Sequence, residues 1–174
     1  RGKVRLSRTA PPETRASAPA QPGGPTLAPA DIYRIYFHGP AYQVLGAAWP
    51  DGDTVVGALA SSLPPGHRPE GAPLVTSPRL VELCFQTAGL WQAGREDRLA
   101  LPMRVGSARA VGDPSVGAGA VRAIAREVEP GVFDCVVVDA AGTVVVRLDG
   151  YHTIPLPSPI PDDVAADLHA AFRS

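Results

Sequence analysis

Cysteine is scarce in this sequence: Cys84 and Cys135 are the only two in 174 residues, and both lie in apolar stretches. Two cysteines exclude a disulfide scaffold, and their apolar surroundings favour a reducing compartment, the cytoplasm. No stretch reaches the roughly 18 consecutive apolar residues of a membrane helix, and no signal peptide is recognisable. The 16 basic and 17 acidic residues form no long run of one sign. That excludes the usual charge pattern of nucleic-acid binders and membrane-surface binders.

What is present suffices for one domain, since 45% of the residues are hydrophobic and the length allows one core. Residues 1–8 alternate apolar and polar side chains, which predicts a strand that belongs to an upstream element, so we expect a fragment of a larger protein. Residues 9–29 have the Pro-, Ala- and Gly-rich composition of a linker, and we expect them to lack regular structure and run over the surface. The domain itself is predicted at 30–157, followed by a short helix or linker at 158–174.

Two helices can be placed from the signals at their ends. Asp31 is a candidate N-cap for a short helix that ends before Pro40, because proline disfavours helical geometry in the residue before it. Ser77 followed by Pro78 predicts the start of a longer helix that runs to about residue 93. This longer helix is the strongest local prediction in the sequence.

The other predicted elements are mostly strands bounded by Gly and Pro turns, including a hairpin around residues 50–53. Residues 121–128 also fit a helical period, but the turns that bound them favour a strand. A proline and two aspartates begin the segment PDDVAADLHAAF and predict a terminal helix. The predicted strands are 42–49, 54–60, 101–111, 119–129, 133–138 and a last one from about 144 to His152.

One long helix that is apolar on most of its circumference, among antiparallel strands, predicts an α+β fold in which the sheet wraps the helix. That arrangement buries every face of the helix at once, and it is the hot-dog fold. We expect residues 78–92 to be enclosed by strands, with Leu83, Cys84 and Trp91 in the core.

A narrow polar stripe crosses this helix at Arg79, Glu82 and Gln86. Glu82 and Gln86 are four residues apart and share one helix face. They could form a solvent-facing stripe. They could also line a pocket, where burial favours a protonated carboxyl group that acts as a general acid while the Gln86 amide holds it.

A second candidate is the sequence HGPAYQ at residues 38–43, where Gly39 and Pro40 indicate a sharp turn. A histidine beside aromatic residues is often a core residue. His38 becomes a functional candidate only in combination with the polar stripe on the helix downstream.

Together these motifs resemble the polyketide synthase dehydratase family, whose domains consist of two hot-dog repeats, and in particular the second repeat. That repeat opens with a short helix and a Tyr-Gly-Pro-x-Phe-Gln type motif, similar to residues 38–43. A Pro-x-Leu-Leu-Asp-x-x-x-Gln helix follows, similar to residues 78–86. The resemblance extends over residues 30 to about 157, and residues 1–8 resemble the last strand of the first repeat.

The resemblance implies that the intact domain removes water from a 3-hydroxyacyl group on an acyl carrier protein and yields a 2-enoyl product, without a metal or an organic cofactor. Glu82 takes the place of the acid that protonates the departing hydroxyl group, and His38 replaces a tyrosine that contacts this carboxylate. The partners implied are the acyl carrier protein, the upstream repeat and a second copy of the parent synthase. The residues expected to bind substrate are Gln86, His38, Gly39, Pro40 and Tyr42.

The sequence departs from the family pattern twice. Glu82 is one methylene longer than the usual aspartate, and none of His38, His67, His152 and His169 lies in the family's His-x-x-x-Gly-x-x-x-x-Pro motif. The base that removes the α-proton is therefore expected upstream, and the isolated chain is expected to be inactive. Two other interpretations remain open: a non-catalytic dehydratase-like scaffold domain, and a hot-dog thioesterase whose helix carboxylate activates water.

Overall fold

The central element of the fold is a helix, α2, that spans Pro78–Glu96. Pro78 occupies the first turn, where its missing N–H costs nothing, and Asp97 ends the helix in the left-handed conformation at φ 57°. Twelve of its 19 residues are buried, which confirms the predicted buried helix, three residues longer than expected. The computed structural model describes residues 2–7, 9, 12–17, 19, 22–66, 69–70, 74, 76–110 and 121–172.

Six antiparallel strands form one sheet in the order β1-β2-β4-β5-β6-β3. The helix α2 contacts all six strands, so the sheet wraps around it, and the predicted hot-dog architecture is confirmed. Leu83 and Cys84 are fully buried and Trp91 nearly so, as expected. The strands are β1 Leu45–Asp51, β2 Thr54–Leu59, β3 Arg98–Ala110, β4 Arg122–Glu129, β5 Val132–Val138 and β6 Val144–Pro159.

Several strand predictions are confirmed and one is corrected. The hairpin of β1 and β2 turns at Gly52, whose φ of +61° favours glycine. The stretch with two possible periods is the strand β4, because it pairs with β2 on one side and β5 on the other. The last strand does not end at His152: β6 continues to Pro159, since its pairing with β3 extends to the Arg98–Pro159 pair.

The helices at the two ends of the domain are α1, Pro29–Ile35, and α3, Asp162–Phe172. The predicted terminal helix is confirmed. Asp31 does not cap α1: it lies in the first turn, and Ala28 precedes the helix without a side-chain cap. Pro29, with its φ already suited to the first turn, starts the helix earlier than Asp31 would. Ser77 precedes α2 as predicted, but its side chain makes no capping hydrogen bond either.

The N-terminal segment differs from its prediction. Residues 2–7 are exposed and have no regular secondary structure, because a strand needs a hydrogen-bonded neighbour and no described segment pairs with them. Their origin in an upstream repeat stays a prediction. Arg1 and Arg8 lie outside the described residues.

The predicted linker at 9–29 contributes to the domain. Thr14 and Pro19 accept backbone and side-chain hydrogen bonds from β6 and β4. Leu27 is 1% exposed, and its backbone exchanges hydrogen bonds of 2.8 and 3.1 Å with Ala48 of β1. The expectation that this segment only runs over the surface is wrong for Leu27, since a large apolar side chain gains more from the core than from water. The core therefore begins before residue 30.

None of the helices in the described ranges is both long and apolar enough to span a membrane.

The two cysteines are unpaired and buried in the core. The Cys135 thiol donates to the Cys84 carbonyl oxygen at 4.0 Å. The interaction with the Cys84 side chain, together with burial, raises the pKa of Cys135 well above its ordinary value. Since the thiolate is the reactive form, we expect iodoacetamide at pH 8 to leave both cysteines of the folded chain unmodified. Intact-mass spectrometry checks this. The same reagent in concentrated urea should add two groups, and rapid double labelling without urea would contradict the buried positions.

Candidate active site

The polar stripe of α2 faces the segment that follows α1, and only part of it reaches solvent. Gln86 is 2% exposed, and its Nε2 donates to Glu82 Oε1 at 2.9 Å. The Glu82 side chain is 20% exposed. Arg79 donates to the carbonyl oxygens of Ala41 and Pro64. Of the two interpretations of this stripe, the structure therefore matches the one in which Glu82 and Gln86 share a partly buried face.

The amide of Gln86 is held at both ends. Its Oε1 accepts a hydrogen bond of 2.9 Å from the Tyr33 hydroxyl group, which itself accepts the Leu45 N–H at 2.7 Å. Its Nε2 donates to the Tyr42 carbonyl oxygen at 2.8 Å as well as to Glu82. Burial raises the pKa of Tyr33 above its usual range, so this hydroxyl group stays neutral and can donate.

The turn after α1 brings His38 to the same carboxyl group. His38 Nε2 lies 3.0 Å from Glu82 Oε1, and the His38 side chain is 23% exposed. The exposed Phe37 ring stacks on the imidazole with centroids 5.3 Å apart, while Tyr36 meets it edge-on at 5.4 Å. The second ring nitrogen, Nδ1, is buried and has no hydrogen-bond partner among the described residues.

A cavity of about 160 Å³ opens beside this pair, between the turn, α2 and the beginning of β3. Glu82 and His38 line it together with Gln86, and its other walls are largely apolar, as at Phe85 and Leu101. A carboxyl group and an imidazole in contact on the wall of an apolar cavity can exchange a proton with a ligand that enters it.

The remaining predicted binding residues lie beside the cavity, not on its wall. Gly39 precedes a short 3₁₀ turn, Pro40–Tyr42, and its carbonyl oxygen accepts the Tyr42 N–H at 2.9 Å. This turn carries the Tyr42 carbonyl group to Gln86. Substrate binding by Gly39, Pro40 and Tyr42 stays a prediction.

Sequence reasoning missed two tyrosines of the site. Besides Tyr33, Tyr36 donates to the Gln86 backbone carbonyl at 2.8 Å, and burial raises the pKa of this phenol far above its ordinary value. The Cβ of any side chain at Gly89 would clash with the Tyr36 hydroxyl oxygen. The signal was the isolated glycine within an apolar helix, which indicates close packing.

The other histidines lie elsewhere. His169 on α3 contacts the Asp97 carboxyl group at the end of α2, His152 is half-buried in the middle of β6, and His67 lies outside the described residues. In the described part of the chain, no group of three or more His, Cys, Asp and Glu side chains is placed to hold a metal ion.

Comparisons with known proteins give one family. A family model described as the polyketide synthase dehydratase N-terminal domain matches residues 9–163. The dehydratase domain from the CurF module of the curacin polyketide synthase is 22% identical with a TM-score of 0.62, and the match covers 76% of this chain and 48% of that chain. The dehydratase domain of PpsC from Mycobacterium tuberculosis, solved with C12:1-CoA, is 23% identical with a TM-score of 0.59, over 80% and 56% of the two chains.

Two structures of the CurK dehydratase, described as inactive mutants, are 16% identical to this chain with TM-scores of 0.60. One carries phenylalanine in place of a histidine, the other asparagine in place of an aspartate. The matches cover 77% of this chain and 49% and 50% of those chains, so this chain spans about half the length of the dehydratases that it resembles in fold. No curated protein matches the sequence.

Proposed function

Since the chain belongs to the polyketide synthase dehydratase family, we propose that it is the second hot-dog repeat of a dehydratase domain and supplies the acid for the elimination of water. The substrate is a 3-hydroxyacyl thioester on an acyl carrier protein, and the product is the 2-enoyl thioester. The observation that carries this proposal is the Glu82 carboxyl group, held by Gln86 at 2.9 Å and His38 at 3.0 Å on the wall of an apolar cavity.

In the proposed reaction, a base takes the α-proton, and the electrons of that C–H bond form the Cα–Cβ double bond. The C–O bond at Cβ breaks, and the departing hydroxyl group takes a proton from Glu82 and leaves as water. An acid and a base suffice, so the proposal includes no metal or organic cofactor. After the product departs, the base releases the α-proton to solvent and Glu82 takes up a proton from solvent, so both groups return to their starting states.

The base is assigned to a histidine of the first repeat, upstream of this chain. His38 is the only imidazole on the described cavity wall, and it already contacts Glu82. The CurK dehydratase is inactivated by replacement of one histidine or one aspartate, which supports an imidazole and a carboxyl group as the reacting pair.

The assignment of this chain to the second repeat rests on the order of the motifs at 38–43 and 78–86, although the matching family model is described as N-terminal.

The exposed edge of β3 is where we place the first repeat. This strand ends the sheet, with β6 as its only described neighbour, so its outer backbone groups are free to pair. Leu101, Met103 and Val105 are exposed along it, and Ile154 lies opposite Leu101 on β6. Leu101 also lines the cavity. A repeat that covers this apolar edge would close the cavity and bring its histidine towards Glu82.

In the parent synthase, the carrier protein delivers the thioester to this cavity. The synthase would act in the cytoplasm, and a homodimer of it is compatible with this arrangement.

We expect the complete two-repeat domain to convert 3-hydroxybutyryl-N-acetylcysteamine to the 2-enoyl thioester, while this chain alone does not exceed the uncatalysed rate. Among the described residues, the one imidazole on the cavity wall is that of His38, which already contacts Glu82, and general-base chemistry needs a free base within reach of the α-proton. Liquid chromatography with mass detection measures the product. Turnover by the isolated chain at rates typical of enzymes would contradict the proposed division of roles between the two repeats.

A further inference from the structure

We propose that His38 is a positioning residue: in its neutral form with hydrogen on Nε2, it donates to Oε1 of Glu82 and thereby leaves Oε2 as the atom that carries the transferable proton. This inference rests on the proposed function, in which Glu82 is the acid. It adds which atom of each partner donates or accepts, and a role for a histidine that stands where the family pattern has a tyrosine.

The direction of each hydrogen bond follows from two backbone groups. The Leu45 N–H can only donate, so the Tyr33 hydroxyl oxygen accepts it and donates its own hydrogen to Gln86 Oε1. At the other end, the Tyr42 carbonyl oxygen can only accept, so the atom of Gln86 that faces it is the NH₂ nitrogen. Two independent constraints therefore fix the same amide orientation.

This orientation determines where the acidic proton is. Gln86 Nε2 donates to Glu82 Oε1, so Oε1 is the accepting oxygen and the proton of the acid form resides on Oε2. The described residues include no hydrogen-bond partner of Oε2. Glu82 lines the cavity, so this second oxygen is the one available to a ligand.

The same reasoning fixes the tautomer of His38. Its Nε2 lies 3.0 Å from Oε1, which has no hydrogen to give, so the hydrogen must come from Nε2. Nδ1 is then a bare nitrogen, in agreement with its burial without a described partner. A protonated Nδ1 would leave a charged N–H buried with no acceptor, which costs more than an unfilled lone pair.

The groups around His38 are compatible with an imidazole that carries its hydrogen on Nε2. Glu82 faces it from α2 and Tyr36 from the turn after α1, while Tyr151 of β6 lines the same cavity. Burial raises the pKa of both phenols above their usual range, so both remain neutral. Glu82 is thus the one group beside the imidazole that exchanges a proton during the reaction.

Three variants of the complete two-repeat domain test the role. His38→Gln keeps an N–H at the place of Nε2, so we expect kcat within about threefold of the wild type. His38→Phe keeps the ring stack with Phe37 but removes the donor, so kcat should fall about 10- to 100-fold, with KM changed less than twofold. His38→Tyr restores the family residue and an O–H donor, and its kcat should lie between those of His38→Gln and His38→Phe. Full activity of His38→Phe would overturn the inference.

A spectroscopic test on this chain needs no activity. In long-range ¹H–¹⁵N correlation spectra at neutral pH, Nε2 of His38 should be the protonated nitrogen and Nδ1 the bare one. The reverse assignment, with hydrogen on Nδ1, would overturn the inference even if the domain is an active dehydratase. An inactive complete domain with the expected tautomer would instead count against the proposed function alone.

Discussion

Glu82→Gln is expected to lower the dehydration rate of the complete domain about 10²- to 10⁴-fold, the usual contribution of a general acid. The substitution keeps the size of the side chain, and the amide oxygen can still accept hydrogen bonds at the place of Oε1. Only the transferable proton is lost. The measurement is the rate of 2-enoyl thioester formation, with a thermal unfolding curve to verify that the fold is retained.

Glu82→Asp is the matched control, because it keeps the acid and retracts it by one methylene. If the backbone is adapted to glutamate, the rate should fall, since a misplacement of about 1 Å can cost about 100-fold. A higher rate with aspartate would mean that the native glutamate is a degenerate form of the family's acid. Equal rates with Glu, Gln and Asp would eliminate Glu82 as the acid and favour the scaffold interpretation.

Leu83→Ala should destabilise the chain by about 2–5 kcal/mol in free energy of unfolding. Leu83 is fully buried on α2 and belongs to the core that the wrapped sheet encloses. Because strands surround the helix, the neighbours have little freedom to collapse into the space left by the missing atoms. Urea unfolding monitored by circular dichroism gives the value, and an unchanged m-value would indicate that the mechanism of unfolding is retained.

Val128→Ala provides the comparison for this measurement. Val128 belongs to β4 and is exposed, so its truncation should change the free energy of unfolding by less than about 1 kcal/mol. Similar losses for both variants would mean that α2 is not enclosed. The hot-dog arrangement of this chain would then be wrong.

How far the sequence predicts this fold depends on how local the signals are. The helix α2 could be predicted because Pro78 signals its start and its apolar residues fill most of its circumference. The hairpin at Gly52 is equally local. By contrast, the apolar pattern of residues 121–128 fits both a helix and a strand. These residues form a strand because they pair with β2 and β5, and such pairing depends on segments far away in sequence.

In the candidate site, too, contacts between residues close in sequence could be predicted and contacts between distant residues could not. Glu82 and Gln86 are one helical turn apart, so their contact follows from helix geometry. His38 and Glu82 are separated by more than 40 residues that include the hairpin of β1 and β2, and only the resemblance to a family suggested their contact. The roles of Tyr33 and Tyr36 could not be derived from sequence, because the path of the chain after α1 determines which hydroxyl group meets Gln86.

The short pairing of Leu27 with Ala48 makes the two edges of the sheet unequal. β1 has part of its outer edge occupied by the chain's own N-terminal segment, while the opposite edge, β3, has no second neighbour among the described residues. Sheets that can grow at both edges form open-ended aggregates, whereas a sheet with one open edge is completed by a single neighbour. We therefore expect association through the outer edge of β3 to end at a closed pair, and removal of the residues up to Leu27 to open a second direction of growth.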